Sequence, residues 1–359
     1  MENINLVRHS YKGDCIFLLK DLTDKIKEIT IEEKEELIRS GVSYSEMISK
    51  ESIPSKDIKN IFLNILNRDK KLIAYYVAKI SEIIYRQKGN KLVIVSLARA
   101  GTPYGILIKR YLKLKYKVDI PHYSISIIRG KGIDANALKY ILAENKKADI
   151  QFVDGWTGKG SITKELNKSI DIFNNENKTN IDNSLAVISD PAKLCKVCGT
   201  REDFGIATCC LNSTVSGLIS RTIHNEKYIG KDEFHGAKTL YYLKDEDYSQ
   251  YFIDKIDNEF NKISIKYEDL VLENIDKEYS MKIVSKIREL YDVNNINNIK
   301  LSVGESARVL LRRDPRVVLV KNKSDKNIEH ILKLAEEKGV KVIEYKDSEY
   351  NCISIINER

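Results

Sequence analysis

Long apolar runs are missing from this chain of 359 residues. No stretch approaches the roughly 18 apolar residues that a membrane-spanning helix needs, so no contact with a membrane is expected. Residues 1–17 carry scattered polar and charged side chains and lack the apolar centre of a signal peptide. The sequence therefore predicts a cytoplasmic protein, in which the six cysteines are mostly reduced thiols.

The overall composition is that of a globular protein. Hydrophobic residues make up 42% of the chain and charged residues 31%, which argues against disorder of the whole chain. The length allows two or three domains. The net charge of +8 fits a partner that carries phosphates, although a lysine-rich surface can also serve solubility alone.

Residues 1–90 are predicted to form a mostly helical segment packed on the core. Apolar residues recur at helical spacing in 31–40 and 58–87, and Pro54 interrupts the chain between them. This pattern is compatible with an inert helical cap and with a hood over a ligand.

Residues 91–270 are predicted to form an α/β core with a mostly parallel sheet. Short apolar runs that are typical of buried strands alternate with helical stripes. In such a sheet, ligands bind beyond the carboxyl ends of the strands. The predicted strands are 91–97, 124–128, 149–154 and 185–190.

The loop after the third predicted strand carries the strongest local pattern. Asp154 at the strand tip is placed to accept hydrogen bonds from vicinal hydroxyls, and a glycine-rich turn then leads into a helix that could cradle a phosphate. The spacing fits neither a Walker loop nor a Rossmann fingerprint. A structural tight turn is the alternative. The candidate phosphate-binding residues here are Gly155, Thr157, Gly158, Lys159, Gly160 and Ser161.

A second loop and a basic segment extend this candidate site. Arg99, with Ala100 and Gly101, follows the first predicted strand and could offer its guanidinium to a diphosphate. Arg129 and Lys131 lie in a glycine-containing segment suited to closing over an anion. Together these parts predict a site for a phosphorylated ribose.

The order of these loops resembles type I phosphoribosyltransferases. More closely, the chain resembles the phosphoribosyltransferase-like proteins of bacterial tellurite-resistance and stress gene clusters, a family also called StiP cysteine protease. The resemblance covers roughly residues 1–260. The segments that carry it are 11–22, 43–47, 96–103, 122–129, 152–161, 210–217 and 234–237.

The resemblance implies an enzyme that binds phosphoribosyl diphosphate with Mg²⁺ and transfers phosphoribose to an unknown acceptor. Asp154 would then hold the ribose hydroxyls, Arg129 and Lys131 would close over the diphosphate, and His235 would be a further catalytic candidate. One departure matters: Gly155 stands where phosphoribosyltransferases usually carry a second acid, so a weaker enzyme or a pure binding protein stays open. An RNA-binding or nucleotide-sensing protein with a degenerate pocket is one alternative function.

A cysteine hydrolase is the other alternative. Cys210 near a helix start could act as a nucleophile with His224 or His235 as its base. Cys210 could equally be a small buried residue. Cys195 and Cys198 with the adjacent cysteines could also hold zinc, although the usual second C-x-x-C is missing.

Residues 296–359 are predicted to form a small α/β/α unit. The segment 301–320 is similar to the Pelota-type RNA-binding module, and its basic helix could contact RNA phosphates. A basic helix face that only solvates the unit is the alternative. The candidate RNA-binding residues are Gly304, Glu305, Arg308, Arg312 and Arg313.

Overall fold

The computed structural model describes residues 5–30, 33–34, 36–37 and 40–357. Fifteen strands and eight α-helices are assigned within these ranges. In chain order the strands are β1 (Ile16–Phe17), β2 (Lys20–Asp21), β3 (Glu28–Ile29), β4 (Ile48–Ser49), β5 (Leu92–Ala98), β6 (His122–Ile128), β7 (Gly132–Ile133), β8 (Asp149–Trp156), β9 (Leu185–Ser189), β10 (Val197–Thr200), β11 (Gly236–Ala237), β12 (Ile299–Leu301), β13 (Pro315–Val320), β14 (Val342–Glu344) and β15 (Cys352–Ile356). The α-helices are α1 (Lys56–Lys88), α2 (Thr102–Tyr116), α3 (Ala135–Glu144), α4 (Ser161–Asn177), α5 (Ser249–Asp257), α6 (Tyr279–Leu290), α7 (Val303–Arg312) and α8 (Glu329–Glu337).

The central sheet is mostly parallel, as the alternation of strands and helices predicts. Its order is β1-β6-β5-β8-β9-β10, every pair along this path is parallel, and β7 adds an antiparallel pair to β6. The strands β5, β6, β8 and β9 are nearly all buried, which explains their continuous apolar runs. A closer assignment to the type I phosphoribosyltransferase kind stays a prediction.

Helices cover both faces of this sheet. On one face, α1, α2 and α5 share an apolar cluster with alternate sheet residues such as Leu92 and Ile94. On the other face, α3 and α4 pack against Val93, Val95 and Leu97. The alternation follows from the two-residue period of a strand, and it places the loops after β5 and β8 at one edge of the sheet.

The C-terminal unit is a four-stranded sheet of order β12-β15-β13-β14 with helices on both faces. Helix α6 packs in the same apolar cluster as β12 and β15, so the unit includes a helix that precedes the predicted start at residue 296. Helices α7 and α8 face the opposite way and join the apolar cluster of α1 and α2. The two units therefore share a continuous core.

The described residues that precede α1 differ from the predicted mostly helical segment. Residues Ile16–Phe17 pair with Tyr123–Ser124 at the edge of the central sheet, and further short strands follow before α1 begins. A two-residue strand has no periodicity that a sequence pattern could reveal, since backbone hydrogen bonds alone define it. Part of the helix predicted for 31–40 lies outside the described residues.

No helix in the described ranges combines the length and the apolar character needed to cross a membrane.

Candidate active site

The loop after β5 is held by contacts inside the protein. The Arg99 guanidinium forms an ion pair with Glu51 at 2.6 Å and donates to the carbonyl of Ile219 and to Oδ1 of Asn212. Gly101 packs so closely that a Cβ there would lie 2.3 Å from the carbonyl oxygen of Val153. The predicted diphosphate ligand Arg99 is thus engaged with a carboxylate of the chain itself. Ala100 lines only a small void of about 20 Å³ beside it.

The loop after β8 begins with the predicted ribose ligand. Asp154 accepts a hydrogen bond from the backbone of Gly155 at 2.8 Å, and burial raises the pKa of its carboxyl to about 6. Gly155 lies against the ring of Tyr104, and the Thr157 hydroxyl donates to Asp190 at 2.5 Å. Both residues therefore serve packing within the core.

The rest of this loop is covered by the C-terminal unit. The Tyr350 hydroxyl donates to the carbonyl of Gly158 at 3.0 Å, and Nζ of Lys159 donates to the carbonyl of Ile296 at 2.6 Å. Burial and the neighbouring Lys300 and Arg129 lower the pKa of Lys159 to about 8. The loop predicted to cradle a phosphate is thus a docking surface between two units.

The last two residues of the loop form the start of α4. Gly160 has φ +82°, and a Cβ there would meet the side chain of Leu194. Ser161 is the first residue of the helix, and no side-chain hydrogen bond caps it.

The predicted closing segment is also tied down. Arg129 donates to Oδ1 of Asn297 at 2.9 Å, in the stretch that leads into β12. Lys131 is exposed in the turn before β7, where its backbone N–H donates to the carbonyl of Ile128.

The histidines proposed as bases for Cys210 contact each other. The rings of His224 and His235 lie 4.8 Å apart, and Nδ1 of His235 is 2.9 Å from the hydroxyl of Ser126. The backbone N–H of His235 donates to Asp134. Burial and His224 lower the pKa of His235 to about 3, so its ring is neutral at physiological pH.

The histidine beside the cysteines is His330, at the start of α8. It lies next to the Cys209 thiol, and a Cβ on Gly205 would approach its ring to 2.4 Å. Within the described part of the chain, neither ring nitrogen of this buried side chain has a hydrogen-bond partner of good geometry. Sequence analysis missed His330, because it lies 120 positions beyond Cys210 and no local pattern marks it.

Cys209 and Cys210 form a pair of adjacent free thiols at the end of a short 3₁₀ turn. Their Sγ atoms lie 3.9 Å apart, and both side chains are buried. The hydrogen bond from Cys210 and the nearby His330 lower the pKa of Cys209, whereas that same bond and burial raise the pKa of Cys210. The arrangement therefore favours the thiolate form of Cys209 over that of Cys210.

Cys210 also lies on the wall of a cavity of about 420 Å³ between the two units. Its lining includes residues around β4, Arg99, residues 210–212 and residues of α7. No group of three or more His, Cys, Asp or Glu side chains placed to hold a metal occurs in the described ranges.

The predicted RNA-binding residues face this interface. Gly304 lies on the Trp156 ring, where a Cβ would come within 2.8 Å, and the Arg308 guanidinium stacks on the same ring at 4.4 Å. Arg308 also pairs with Glu305 at 3.2 Å. The cavity wall includes Glu305, Arg308, Arg312 and Arg313.

Fold and site together define a mixed α/β protein with a mostly parallel sheet, a small C-terminal unit, and a thiol pair at the cavity between them. A family model described as tellurite-like stress resistance cysteine protease StiP matches residues 9–257. A model described as PELOTA RNA binding domain matches residues 278–358. The chain is also similar to a protein of Acinetobacter baylyi named cysteine protease StiP, with 33% identity over 365 residues that cover 97% of this chain and 94% of the relative. The chain belongs to the StiP family, and its C-terminal part matches the Pelota module.

These comparisons correct the predicted activity. The expectation of a phosphoribosyltransferase is wrong, because the matching family and the relative are both described as cysteine proteases. The partner phosphoribosyl diphosphate loses its support with it, and the Mg²⁺ expected alongside stays a prediction. The packing suggests a physical reason for the error: a glycine-rich turn suited to a phosphate is equally suited to the close approach of a second unit.

Proposed function

We propose that the protein is a cysteine hydrolase that cleaves peptide bonds, with Cys210 as the nucleophile. The observation that carries this proposal is the position of Cys210, which lines the cavity while its thiol contacts Cys209 and, through it, His330. A nucleophilic cysteine needs access to substrate and a neighbouring proton acceptor. Here Cys210 has the access, and Cys209 is the proton acceptor.

In the resting pair, Cys209 is the thiolate, and the ring of His330 lies beside it. When Sγ of Cys210 attacks the substrate carbonyl carbon, the Cys210 proton passes to Cys209. A tetrahedral oxyanion results, and its collapse breaks the C–N bond while the leaving amine takes the proton from Cys209. The product is a thioester on Cys210.

The second half of the reaction reverses these roles. Water loses a proton to Cys209 and attacks the thioester carbon. The Cys210 thiolate then leaves and recovers the proton from Cys209, so the net change is hydrolysis of one peptide bond.

Arg312 and Asn212 are the groups that could stabilise the oxyanion. Arg312 donates to the carbonyl of Leu211 at 3.3 Å, directly after the nucleophile, and its charge favours the Cys210 thiolate. Asn212 lies on the same wall, where its side-chain oxygen accepts from Arg99 and its side-chain amide nitrogen could donate to a substrate. Donors aimed at the developing charge supply much of the rate in such sites.

The experiment that tests the activity is hydrolysis of fluorogenic casein by wild type and by Cys210→Ala. We expect the variant to lose roughly a thousandfold in rate, because the covalent route disappears. Mass spectrometry after treatment with iodoacetamide at low reagent excess should place the label on Cys210 first.

The matched control is Cys15→Ala, which removes a buried thiol that does not line the cavity. It should keep wild-type activity. Activity that survives in Cys210→Ala, or a label that appears first on another cysteine, would show that Cys210 is not the nucleophile.

RNA binding is a second candidate function, favoured by the Pelota match over 278–358. Because Gly304 and Arg308 pack on Trp156, RNA would have to reach the exposed end of α7 at Arg313. Fluorescence anisotropy with a labelled RNA stem that carries an internal loop tests this. Binding that weakens in Arg313→Gln and not in Lys71→Gln, an exposed lysine of α1, supports it, whereas equal binding by both variants contradicts it.

A further inference from the structure

The cavity beside Cys210 carries a strong excess of positive charge. Among the described residues that line it, eight are lysines or arginines and two are glutamates, Glu51 and Glu305. Each glutamate is already paired within the protein, Glu51 with Arg99 at 2.6 Å and Glu305 with Arg308 at 3.2 Å. Lys300 and Arg312 line the same cavity beside these two ion pairs.

Like charges are held together here at a cost. Burial and the neighbouring Arg308 and Arg99 lower the pKa of Arg312 to about 9, far below the usual range of a guanidinium. Burial, with Arg313 and Arg129 close by, also lowers the pKa of Lys300, against the pull of Glu305. An anion in the cavity would relieve this repulsion, because an opposite charge favours the charged form of each group.

We propose that the cavity selects peptide substrates by an acidic side chain, which binds Arg312 and Lys300 next to the nucleophile. This proposal rests on the proposed hydrolase function and adds its substrate class. Arg312 contacts the carbonyl of Leu211, the residue that follows Cys210. A carboxylate held by Arg312 would therefore lie in the same cavity as the nucleophile. A guanidinium can bind a carboxylate through two parallel hydrogen bonds.

The composition of the wall favours a peptide over a nucleic acid. None of the described residues that line the cavity is a Phe, Tyr or Trp. Single-stranded nucleic acids are usually held by bases stacked on such rings in addition to phosphate contacts. A volume of about 420 Å³ lies within the range of pockets that bind small ligands and fits a few side chains of an extended peptide.

The test measures binding without catalysis. A fluorescein-labelled peptide of alternating Glu and Ala is titrated into full-length Cys210→Ala protein, in parallel with the same peptide carrying Gln for Glu. We expect the Glu peptide to bind at least about tenfold more tightly than the Gln peptide, because a hydrogen bond to a charged group adds enough binding free energy for a tenfold change in affinity. Adding Arg312→Gln should weaken the Glu peptide by about tenfold and the Gln peptide by a smaller factor, so that the preference for Glu shrinks.

Two further variants keep the test decisive. Lys50→Gln removes an exposed charge at the cavity rim and should weaken the Glu peptide even if Arg312→Gln fails to fold. Lys71→Gln removes an exposed charge of α1 that lies outside the cavity wall and should change nothing.

Equal affinity for the Glu and Gln peptides would overturn the proposal. So would oligouridylate that binds in an Arg312-dependent manner and displaces the Glu peptide, because the cavity would then hold nucleic acid. The binding result does not depend on whether the protein hydrolyses casein, because every titration uses Cys210→Ala protein, which lacks the nucleophile. Selectivity without hydrolysis by the wild type would therefore leave an acidic-peptide binder and reject the hydrolase.

Discussion

At the scale of single residues, the proposed hydrolysis depends on three side chains, those of Cys209, Cys210 and His330. Cys209 and Cys210 follow each other in the chain, and their thiols differ in environment because only Cys210 lines the cavity. His330 arrives from α8 and places a basic ring beside Cys209. Within the described ranges, the ring nitrogens of His330 have no hydrogen-bond partner of good geometry, and an unpaired buried imidazole is costly, so a neighbouring thiolate would compensate it.

The His330→Gln variant tests this relation. Since His330 contributes to the lowered pKa of Cys209, its removal should raise that pKa, and the thiolate should form only at higher pH. We expect the absorbance of the thiolate near 240 nm to titrate at higher pH in the variant than in the wild type. His224→Gln, which alters a histidine paired with His235, is the control and should leave the titration unchanged. An unchanged titration in His330→Gln would show that His330 does not influence the pKa of Cys209.

At the scale of elements, helix α7 holds the C-terminal unit against the core. Its first turn is capped by Ser302, whose hydroxyl accepts from the N–H of Glu305 at 3.3 Å, and Gly304 then lies flat on the Trp156 ring. The absence of a side chain at Gly304 allows this approach. Helix, ring and the guanidinium of Arg308 form one stack above the end of β8.

Gly304→Ala should therefore destabilise the protein despite its better helix propensity. The added Cβ would lie 2.8 Å from the indole ring, and overpacking of this kind costs about 1–3 kcal/mol, against a gain of about 1 kcal/mol in propensity. We expect a lower urea midpoint and weaker quenching of the single tryptophan, followed by its fluorescence. Gly230→Ala is the control, since a Cβ there meets only the end of the Glu233 side chain at 3.3 Å. A midpoint in Gly304→Ala as high as in this control would mean that α7 is free to shift.

At the scale of the whole molecule, Asp203 joins the core to the C-terminal unit. Its carboxylate accepts from the backbone N–H groups of Val303, Asn351 and Cys352 at 2.9–3.3 Å. Its carbonyl also accepts from the Asn351 side chain at 2.6 Å. Four hydrogen bonds at one buried residue thus fix the start of α7 and of β15 to the chain that leads to the cysteine pair.

Asp203→Asn should loosen this connection. The amide keeps one acceptor and turns an N–H group toward backbone donors, which costs about 1–3 kcal/mol. Burial raises the pKa of Asp203 to about 7, so the folded protein holds a proton that the unfolded chain releases near pH 4. The stability from this group is present below that lower pH and is lost as pH rises through 7. Urea unfolding should therefore show a larger difference between wild type and variant at pH 5 than at pH 8, and the opposite order would mean that Asp203 stays ionised in the folded protein.

How much the sequence predicts differs between the sheet and the site. The runs 91–97 and 149–154 predict β5 and β8 because strands buried on both faces are continuously apolar. The two-residue strand β1 could not be predicted, since its partner β6 lies about a hundred positions away. Asp154 was found by its place at a strand tip, and the same pattern led to the wrong activity because a second unit covers the loop.

The sequence by itself determined the α/β class, the mostly parallel central sheet and the family to which the chain belongs, because these depend on local periodicity and on long motifs. It also contains the adjacent thiols, which need no folding to become neighbours. Only the tertiary structure decided which histidine lies beside them and which charges surround them. His330, Arg312 and Lys300 come from a unit that shares a core with α1 and α2, and packing of apolar surface, which no local pattern encodes, brings them to Cys210.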